Sequence, residues 1–418
     1  MTYISEVLVD VNPWWKAEFR LEYKEREIYK KFEEFIPQPQ IIAFTGLRRV
    51  GKTTLMLKVA KDMVAQGLDA KRVVYFSFDE FRDAKLREII LEYEQLMGVD
   101  LKSGKTLLLF DEVQKLQGWE DQLKSLYDTH KDNLKIIISG SESLFIMRKS
   151  KETLAGRLFE FKIEPLNFRE YLGFRMAKPE PPGLYGGELK RLFDEFALTL
   201  GFPELVNVSA KEVIRKYLRE GIIDKAVHRD IRETFNVRDT STLESLLNIL
   251  MAEPGQIIEI SEIANDLKTS RQTASNYLTY LQDSFLVRKL YNWSRNRRKV
   301  ERKLRKYYPA IVSPSLLFKE DDHSKSKVFE WLVIKELGAE YFWRDARKNE
   351  VDAVIGEDKP TPVEIKYGKI ETTGVLAFMK KFGADEGYII TPDREETRVI
   401  NGKTIRIVPA YKYLLGRA

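Results

Sequence analysis

The 418-residue sequence contains no cysteine, and this absence removes disulfides, thiolate metal sites and cysteine nucleophiles at once. Histidine is nearly absent too. His130, His228 and His323 lie far apart in sequence and form no metal-ligand pair. No apolar run approaches the roughly 20 residues of a membrane span, and Glu6 and Asp10 stand where a signal peptide would be basic and then apolar. The expectation is a soluble, cytoplasmic protein. Charged residues at 32% and the missing cysteine suit a thermophile.

The chain does have length enough for two to four domains, and its charge is unevenly placed. The formal net charge is +6, yet residues 286–308 hold ten Lys/Arg against Glu301 alone. That stretch nets +9 and leaves −3 for the remainder. A basic segment on a slightly acidic chain points to a polyanionic partner, here taken as DNA.

The densest signal is Gly46-Leu-Arg-Arg-Val-Gly-Lys-Thr-Thr, preceded by the strand-like Ile41 to Phe44 and followed by a helical pattern. Strand, glycine-rich loop and helix in this order form a phosphate cradle. Gly46 and Gly51 free the backbone to aim N–H groups at a polyphosphate, with Arg48, Arg49 and Thr54 beside them. Lys52 is expected to reach the β- and γ-phosphates, and Thr53 to hold Mg²⁺. ATP and Mg²⁺ are the expected cofactors. Three further buried-strand candidates follow, at Arg72–Asp79, Thr106–Phe110 and Lys135–Ser139, which argues for a mainly parallel α/β sheet with ligands at the carboxyl ends of its strands. Asp111 is placed to complete the Mg²⁺ shell, and Glu112 to orient and deprotonate the attacking water. Ser139 or Ser141 could report on the γ-phosphate, or simply end a strand. Before the loop, Asn12-Pro-Trp-Trp suits a helix start, and a helix to about Phe35 is expected to pack on the nucleotide domain.

Further motifs extend the pattern: Phe110-Asp-Glu-Val-Gln, Ser139-Gly-Ser-Glu-Ser, Ala155-Gly-Arg-Leu, Pro165-Leu-Asn-Phe-Arg-Glu-Tyr and Gly201-Phe-Pro-Glu. With the phosphate loop they resemble the archaeal and bacterial AAA+ ATPases whose C-terminus carries a nuclease-like domain. The resemblance spans nearly the whole chain. It implies a homo-oligomer, a hexameric ring by family resemblance, with a helical lid at 165–237. It also implies Arg157 as an arginine finger, with Arg48, Arg49 and Arg148 as competitors.

Beyond Arg238, two short helical patterns, Ile260–Leu267 and Arg271–Leu281, flank a tight turn and precede the strand-like Phe285–Leu290. This is the pattern of a winged helix-turn-helix. Arg271, Gln272, Ser275 and Asn276 share the face opposite Ala274, Leu278 and Leu281, and are residue types able to contact bases and phosphates. Arg295, Arg297, Arg298 and Lys299 supply a basic wing whose phosphate contacts would drive salt-dependent affinity. A protein-contact module is the alternative.

In the last quarter, Glu330 falls on a helical pattern, and Asp352 and Glu364-x-Lys366 on two strand-like segments. Glu364 and Lys366, two apart on a strand, share a face. Asp352 and Glu364 could bind Mg²⁺, or Mn²⁺, with Glu330 nearby and Lys366 positioning water. The constellation resembles the PD-(D/E)xK nuclease core, with Ala353 and the lack of a proline before Asp352 as variations. Ser313 departs from relatives that carry Asp there. An exposed ion-paired hairpin or a non-cleaving nuclease-like fold is the alternative.

The expected fold is therefore α/β: an N-terminal helical segment (1–40), a AAA+ P-loop core (41–164), a helical lid (165–237), a winged helix-turn-helix (238–312) and a restriction-endonuclease-like domain (313–418). The expected function is ATP hydrolysis coupled to Mg²⁺-dependent cleavage of DNA, such as branched or junction DNA. An ATP-dependent switch or scaffold with a non-cleaving domain, and a DNA-translocating motor, are the alternatives.

Overall fold

A computed structural model describes residues 3–416, apart from 82, 142–151, 178–182, 297, 299, 301–303 and 357. The chain divides into two compact units, Met1–Glu164 and Pro165–Ala418.

The first unit is built on a parallel sheet of five strands in the order β2-β3-β4-β1-β5. These are β1 (Ile41–Thr45), β2 (Val73–Ser77), β3 (Thr106–Asp111), β4 (Leu134–Gly140) and β5 (Leu158–Lys162). Every residue of β1, β3 and β4 is buried, which is why their sequences run apolar without alternation. Among the helices are α1 (Tyr3–Val11), α2 (Glu27–Glu33), α3 (Lys52–Ala65), α4 (Leu86–Met97) and α5 (Trp119–His130). Leu8 of α1, Ile89 and Tyr93 of α4 and Leu123 of α5 share one core with Ala43, Phe76, Phe110 and Ile138 of the sheet.

The expected helix from Asn12 to Phe35 does not form. Pro13–Trp15 makes a single 3-10 turn, and helix resumes only at α2. The cause is tertiary. Asn12, fully buried, spends its side chain on β2 instead of on a helix cap. Its Nδ2 donates to Leu8 O (2.8 Å) and Tyr75 O (2.9 Å), and its Oδ1 accepts from Tyr75 N (2.7 Å). The Trp14 and Trp15 indoles both donate to Val73 O, at 3.0 and 2.9 Å. The segment thus closes the free edge of β2.

The second unit holds a nine-stranded sheet in the order β13-β14-β12-β11-β10-β9-β7-β8-β6. Its strands are β6 (Gln256–Ile257), β7 (Val287–Asn292), β8 (Arg305–Pro309), β9 (Tyr341–Arg344), β10 (Glu350–Ile355), β11 (Thr361–Ile365), β12 (Glu386–Thr391), β13 (Glu396–Ile400) and β14 (Lys403–Pro409). The expected border at residue 312 falls inside this sheet, because β7 pairs in parallel with β9 through Tyr291 and Asn292 opposite Tyr341 and Phe342.

The helices of this unit begin with α6 (Phe168–Phe174), α7 (Gly186–Thr199) and α8 (Lys211–Leu218), the segment expected as a lid. Within the unit this segment is tied to the C-terminal region: Phe168 N donates to Glu336 Oε2 at 2.8 Å, and Lys335 Nζ to Leu200 O at 2.7 Å. Next come α9 (Ser241–Ala252), α10 (Ile260–Asp266) and α11 (Arg271–Asp283). The chain ends with α12 (Asp322–Leu337), α13 (Thr373–Phe382) and α14 (Ala410–Gly416). Helix α12 buries Trp331, Leu332, Val333 and Ile334 in succession, so it is enclosed on all sides. Helix α13 packs Val375, Phe378 and Met379 against Trp343, Val351, Ile389 and Ile407. Ser313 has a structural role: its Oγ accepts from Leu316 N (3.2 Å) and caps the turn Pro314–Leu317, a task Asp performs equally well.

Asn12→Ala would leave the N–H and C=O of Tyr75 without these partners. The expected loss is about 1–3 kcal/mol. It should appear in urea denaturation as a lower midpoint at unchanged slope.

Candidate functional site

The carboxyl ends of β1, β3 and β4 converge on the phosphate loop. Gly46 adopts φ +138°, and a Cβ there would lie 2.2 Å from Ile163 O, so only glycine lets the loop leave β1 this close to the end of β5. Gly51, at φ +96°, starts α3 and directs the N-terminal amides of that helix into the loop. Lys52 is buried and donates to the loop's own carbonyls, Gly46 O at 3.0 Å and Leu47 O at 2.9 Å. Arg49 takes a left-handed φ of +65° within the loop; Arg48 and Thr54 flank the same turn. Buried Arg26 was not foreseen. Its guanidinium donates to Val50 O (2.9 Å) and Glu164 O (2.8 Å), tying the loop to the strand exit beyond β5. No local motif marks it, since its partners are carbonyls 24 and 138 residues away.

Asp111 is the hub of the site. Thr53 Oγ1 donates to its Oδ2 at 2.6 Å, the Tyr75 hydroxyl donates to the same oxygen at 2.9 Å, and Ser139 Oγ donates to Oδ1. Because β4 pairs with β3, Ser139 near its carboxyl end reaches both Asp111 and Glu112. Its Oγ also accepts from Glu112 N at 3.2 Å. Glu112 sits at φ +53°, a left-handed conformation that costs a non-glycine residue about 1 kcal/mol or more. This turns its carboxylate away from β3. There Gln114 Nε2 donates to Glu112 Oε2 at 2.6 Å, and Ser141 Oγ at 3.3 Å. Burial, with the Asp111 carboxylate next, holds the Tyr75 phenol far above its usual range, so it stays a donor. Thr53 and Asp111 are two adjacent hard oxygen donors at the loop and therefore fit Mg²⁺.

Arg157 does not join this constellation. Its backbone C=O accepts from Ile41 N at the amino end of β1, and its guanidinium forms a two-pronged ion pair with Asp128 (2.8 and 3.2 Å). Arg148, Arg297 and Lys299 lie outside the described residues.

A second polar cluster lies in the other unit, where β8, β10, β11 and α12 converge. Glu330, Asp352, Glu364 and Lys366 are all there, together with two residues that the sequence did not single out, Lys306 and Glu350. Lys306 on β8, 4% exposed, sets its ammonium 2.6 Å from Glu350 Oε1, 3.5 Å from Asp352 Oδ1 and 4.0 Å from Glu330 Oε1. The Tyr308 hydroxyl donates to Glu330 Oε1 at 2.7 Å, and Arg344 approaches Glu350 Oε2 at 3.5 Å. Asp352 Oδ2 accepts from Ile365 N at 2.8 Å, across a register shift in β10 between Val351 and Val354. Lys366 Nζ lies 2.7 Å from Glu364 Oε1, whereas the buried Glu364 Oε2 has no partner among the described residues.

A metal held by Asp352 and Glu364 does not fit this arrangement. Among the described residues no group of three or more Asp, Glu or His is set to hold a metal ion, and the cation among the carboxylates is Lys306. Lys306 was counted with the basic wing. The available signal is strand alternation, which puts Lys306 on the face of Tyr308 and Glu350 on the face of Asp352.

The expected DNA contacts divide. Arg271 and Gln272 on α11 are exposed, while Ser275 and Asn276 are half-buried, and Gln272 Nε2 donates to Asn276 Oδ1 at 2.9 Å. Ser270 caps the helix through Thr273 N at 3.0 Å. Arg295 and Arg298 are exposed, and Arg295 Nη2 donates to Phe382 O at 2.7 Å.

The electrostatics of the second cluster carry a pH signature. Burial, then the charge of Asp352, pushes Glu364 up to about 8 against the pull of Lys366. The same two causes push Glu330 to about 7, against Lys306 and the Tyr308 hydrogen bond. Burial opposes the Lys306 charge, but Tyr308, Asp352, Glu330 and Glu350 outweigh it, and the ammonium stays charged. Unfolded glutamates lose their protons near 4.5, whereas folded Glu364 keeps its proton to about 8. Its contribution to stability is therefore full below 4.5 and is lost as pH rises through about 8. Glu364→Gln should flatten this decline. Melting temperatures between pH 5 and 9 should fall less steeply in the variant than in the parent.

Residues 38–172 match the family model of the AAA domain, which places the phosphate loop, Asp111–Glu112 and Arg157 inside an AAA-type core. Residues 190–312 and 326–413 match two domains of unknown function, DUF8612 and DUF4143. An uncharacterized protein of Methanocaldococcus jannaschii is 26% identical over 437 residues, covering 93% of this chain and 89% of its own. An uncharacterized protein of Haemophilus influenzae is 29% identical over 277 residues, covering 65% of this chain and 66% of its own. The solved structure of Cdc6p from Pyrobaculum aerophilum aligns with 74% of this chain and 96% of its own at 12% identity and a TM-score of 0.33, a likeness too weak to carry an argument.

Proposed function

We propose that this chain is an ATP-hydrolysing, DNA-binding switch of the AAA+ type that works as a homo-oligomer and carries a non-cleaving, nuclease-like C-terminal region. The observation that carries the ATPase reading is the array around Asp111. Four side chains and a strained Glu112 backbone are organised for a nucleotide that the loop amides and the α3 terminus would receive. Lys52 exchanges its loop carbonyls for β- and γ-phosphate oxygens. Thr53 and Asp111 would hold Mg²⁺, which would supply charge neutralisation on the phosphates. Glu112 orients and deprotonates the water, and Ser139 links that carboxylate's backbone to the metal-side carboxylate. Ser139 is therefore read as the residue that senses the γ-phosphate.

Arg157 lies at the amino end of β5, about five strand residues, or roughly 15 Å, from the loop end of β1. That position suits a finger offered to a neighbouring subunit, released from Asp128 on assembly. Helices α9 to α11 with the β6-β8-β7 strands are read as the winged helix-turn-helix, with Arg271 and Gln272 toward bases and Arg295 and Arg298 toward phosphates. Non-cleavage rests on Lys306, whose ammonium stands among the carboxylates that a nuclease would give to its metal. Metal-dependent cleavage of branched or junction DNA is the second reading, favoured by the partnerless Glu364 Oε2 beside Lys366.

One set of assays tests these assignments. Glu112→Gln should keep ATP binding and slow hydrolysis by about 100-fold or more. Lys52→Ala should lose binding itself. Neutralising Arg295 and Arg298 should reduce the slope of log affinity for duplex DNA against log salt by about 1.8. Linear, supercoiled and four-way-junction DNA should stay intact in Mg²⁺ or Mn²⁺, with or without ATP. Cutting that disappears in Glu364→Ala would replace the switch by the cleavage reading.

A further inference from the structure

Gln114 lies two residues beyond Glu112, in the 3-10 turn Val113–Lys115. The turn is pinned at both levels. Lys115 N donates to Glu112 O and Leu116 N to Val113 O, each at 3.0 Å, and Val113 and Leu116 are sunk in the core of the first unit. The side chain is held as firmly. Its Nε2 donates to Glu112 Oε2 at 2.6 Å and to Ser141 Oγ at 3.3 Å, and the Ser141 hydroxyl donates in turn to the same Glu112 oxygen at 3.3 Å. An ionised carboxylate only accepts, so the amide cannot be reversed, and both of its hydrogens are committed. The carbonyl oxygen is thereby turned away from Glu112 and Ser141. That atom, Gln114 Oε1, is buried and has no hydrogen-bond partner among the described residues. An amide oxygen left in this way costs about 1–3 kcal/mol, which a donor arriving with the substrate would recover.

The chemistry of the site identifies the donor. Phosphate oxygens accept, so an amide oxygen repels them. Thr53 and Asp111 are the pair fitted to Mg²⁺, and the Gln114 amide bonds to neither. Beside a general base, this leaves the water that the base activates, which has two hydrogens to place. We propose that Gln114 is a further catalytic residue of ATP hydrolysis, its Oε1 accepting one hydrogen of the attacking water while Glu112 takes the other. This rests on the reading of the loop as an ATPase site. With both hydrogens directed, a lone pair of the water oxygen is aimed at the γ-phosphorus. As the new O–P bond forms, the proton on the Glu112 side passes to that carboxylate. The bond from the γ-phosphorus to the bridging oxygen breaks, and its electron pair leaves on the β-phosphate of ADP. The hydrogen held by Gln114 stays on the inorganic phosphate, so Gln114 neither gains nor loses a proton.

The test is steady-state and single-turnover ATP hydrolysis by the full chain, with nucleotide affinity read from a fluorescent ATP analogue. Gln114→Met keeps the side-chain volume and removes the amide. It should lower kcat by about 100-fold. Its KM, nucleotide affinity and Mg²⁺ dependence should match those of the parent. Gln114→Asn keeps an amide but is one carbon short, which guards against misfolding, and it should show the same split. The deciding comparison is made in Glu112→Gln, where the substituted amide oxygen can still accept from Gln114 Nε2. A group that only holds the Glu112 carboxylate has nothing left to contribute there, whereas one that holds the water still does. Adding Gln114→Met to Glu112→Gln should therefore slow the residual single-turnover hydrolysis by about a further 10-fold. No further loss would make Gln114 a tether of Glu112 and overturn the proposal, as would a fall in nucleotide or Mg²⁺ affinity at unchanged kcat. If the parent hydrolyses ATP and both Gln114 variants match it, this assignment falls while the ATPase reading stands. If the parent does not hydrolyse ATP, both fall.

Discussion

The second unit depends on a buried ammonium. Removing Lys306 from water is tolerable only because Glu350, Asp352 and Glu330 approach it, and gathering those carboxylates is tolerable only because Lys306 is there. The pairing joins β8, β10 and α12, elements separated by long stretches of sequence. It also fixes which strands can share a sheet. A wing hairpin with a free outer edge would be an independent module, but one whose lysine is needed beside β10 cannot swing away without taking the ammonium from three gathered carboxylates. The nine-stranded sheet and the ion cluster thus support one another.

The first unit solves a different problem with similar means. Its polar residues sit at strand ends, where a parallel sheet leaves room, and their order follows from strand order. Because β4 lies beside β3, a residue at its carboxyl end can fill the space between the Asp111 carboxylate and the Glu112 amide. Ser139 fills it with a single hydroxyl that donates to one carboxylate and accepts from the next residue's amide. That small side chain couples Asp111 to Glu112 by accepting from the amide of its left-handed backbone. Arg26 adds a second coupling, from the loop at Val50 to Glu164, the last residue of the unit.

What could be read in the sequence follows from how local each feature is. The phosphate loop spans nine consecutive residues, and its glycines, lysine and threonines act within one turn, so spacing alone reveals it. Asp111 and Glu112 were legible because a buried parallel strand announces itself by an unbroken apolar run and its carboxyl end is where ligands sit. The Asn12 helix start failed for the opposite reason. The local pattern is a good cap, but a partner 63 residues away takes the side chain. Lys306 was hidden within a basic run, and the pairing of β7 with β8 and β9 shows that its strand lies inside the sheet.

The two carboxylate groups differ in what stands at the cation position. At the loop, Thr53 and Asp111 already touch, and these two oxygen donors would hold Mg²⁺ if it came with a nucleotide. In the second unit the donors are in place, but the cation position belongs to the protein. An incoming dication would have to displace an ammonium that Glu350, Asp352 and Glu330 already surround, so the cluster as folded favours the lysine.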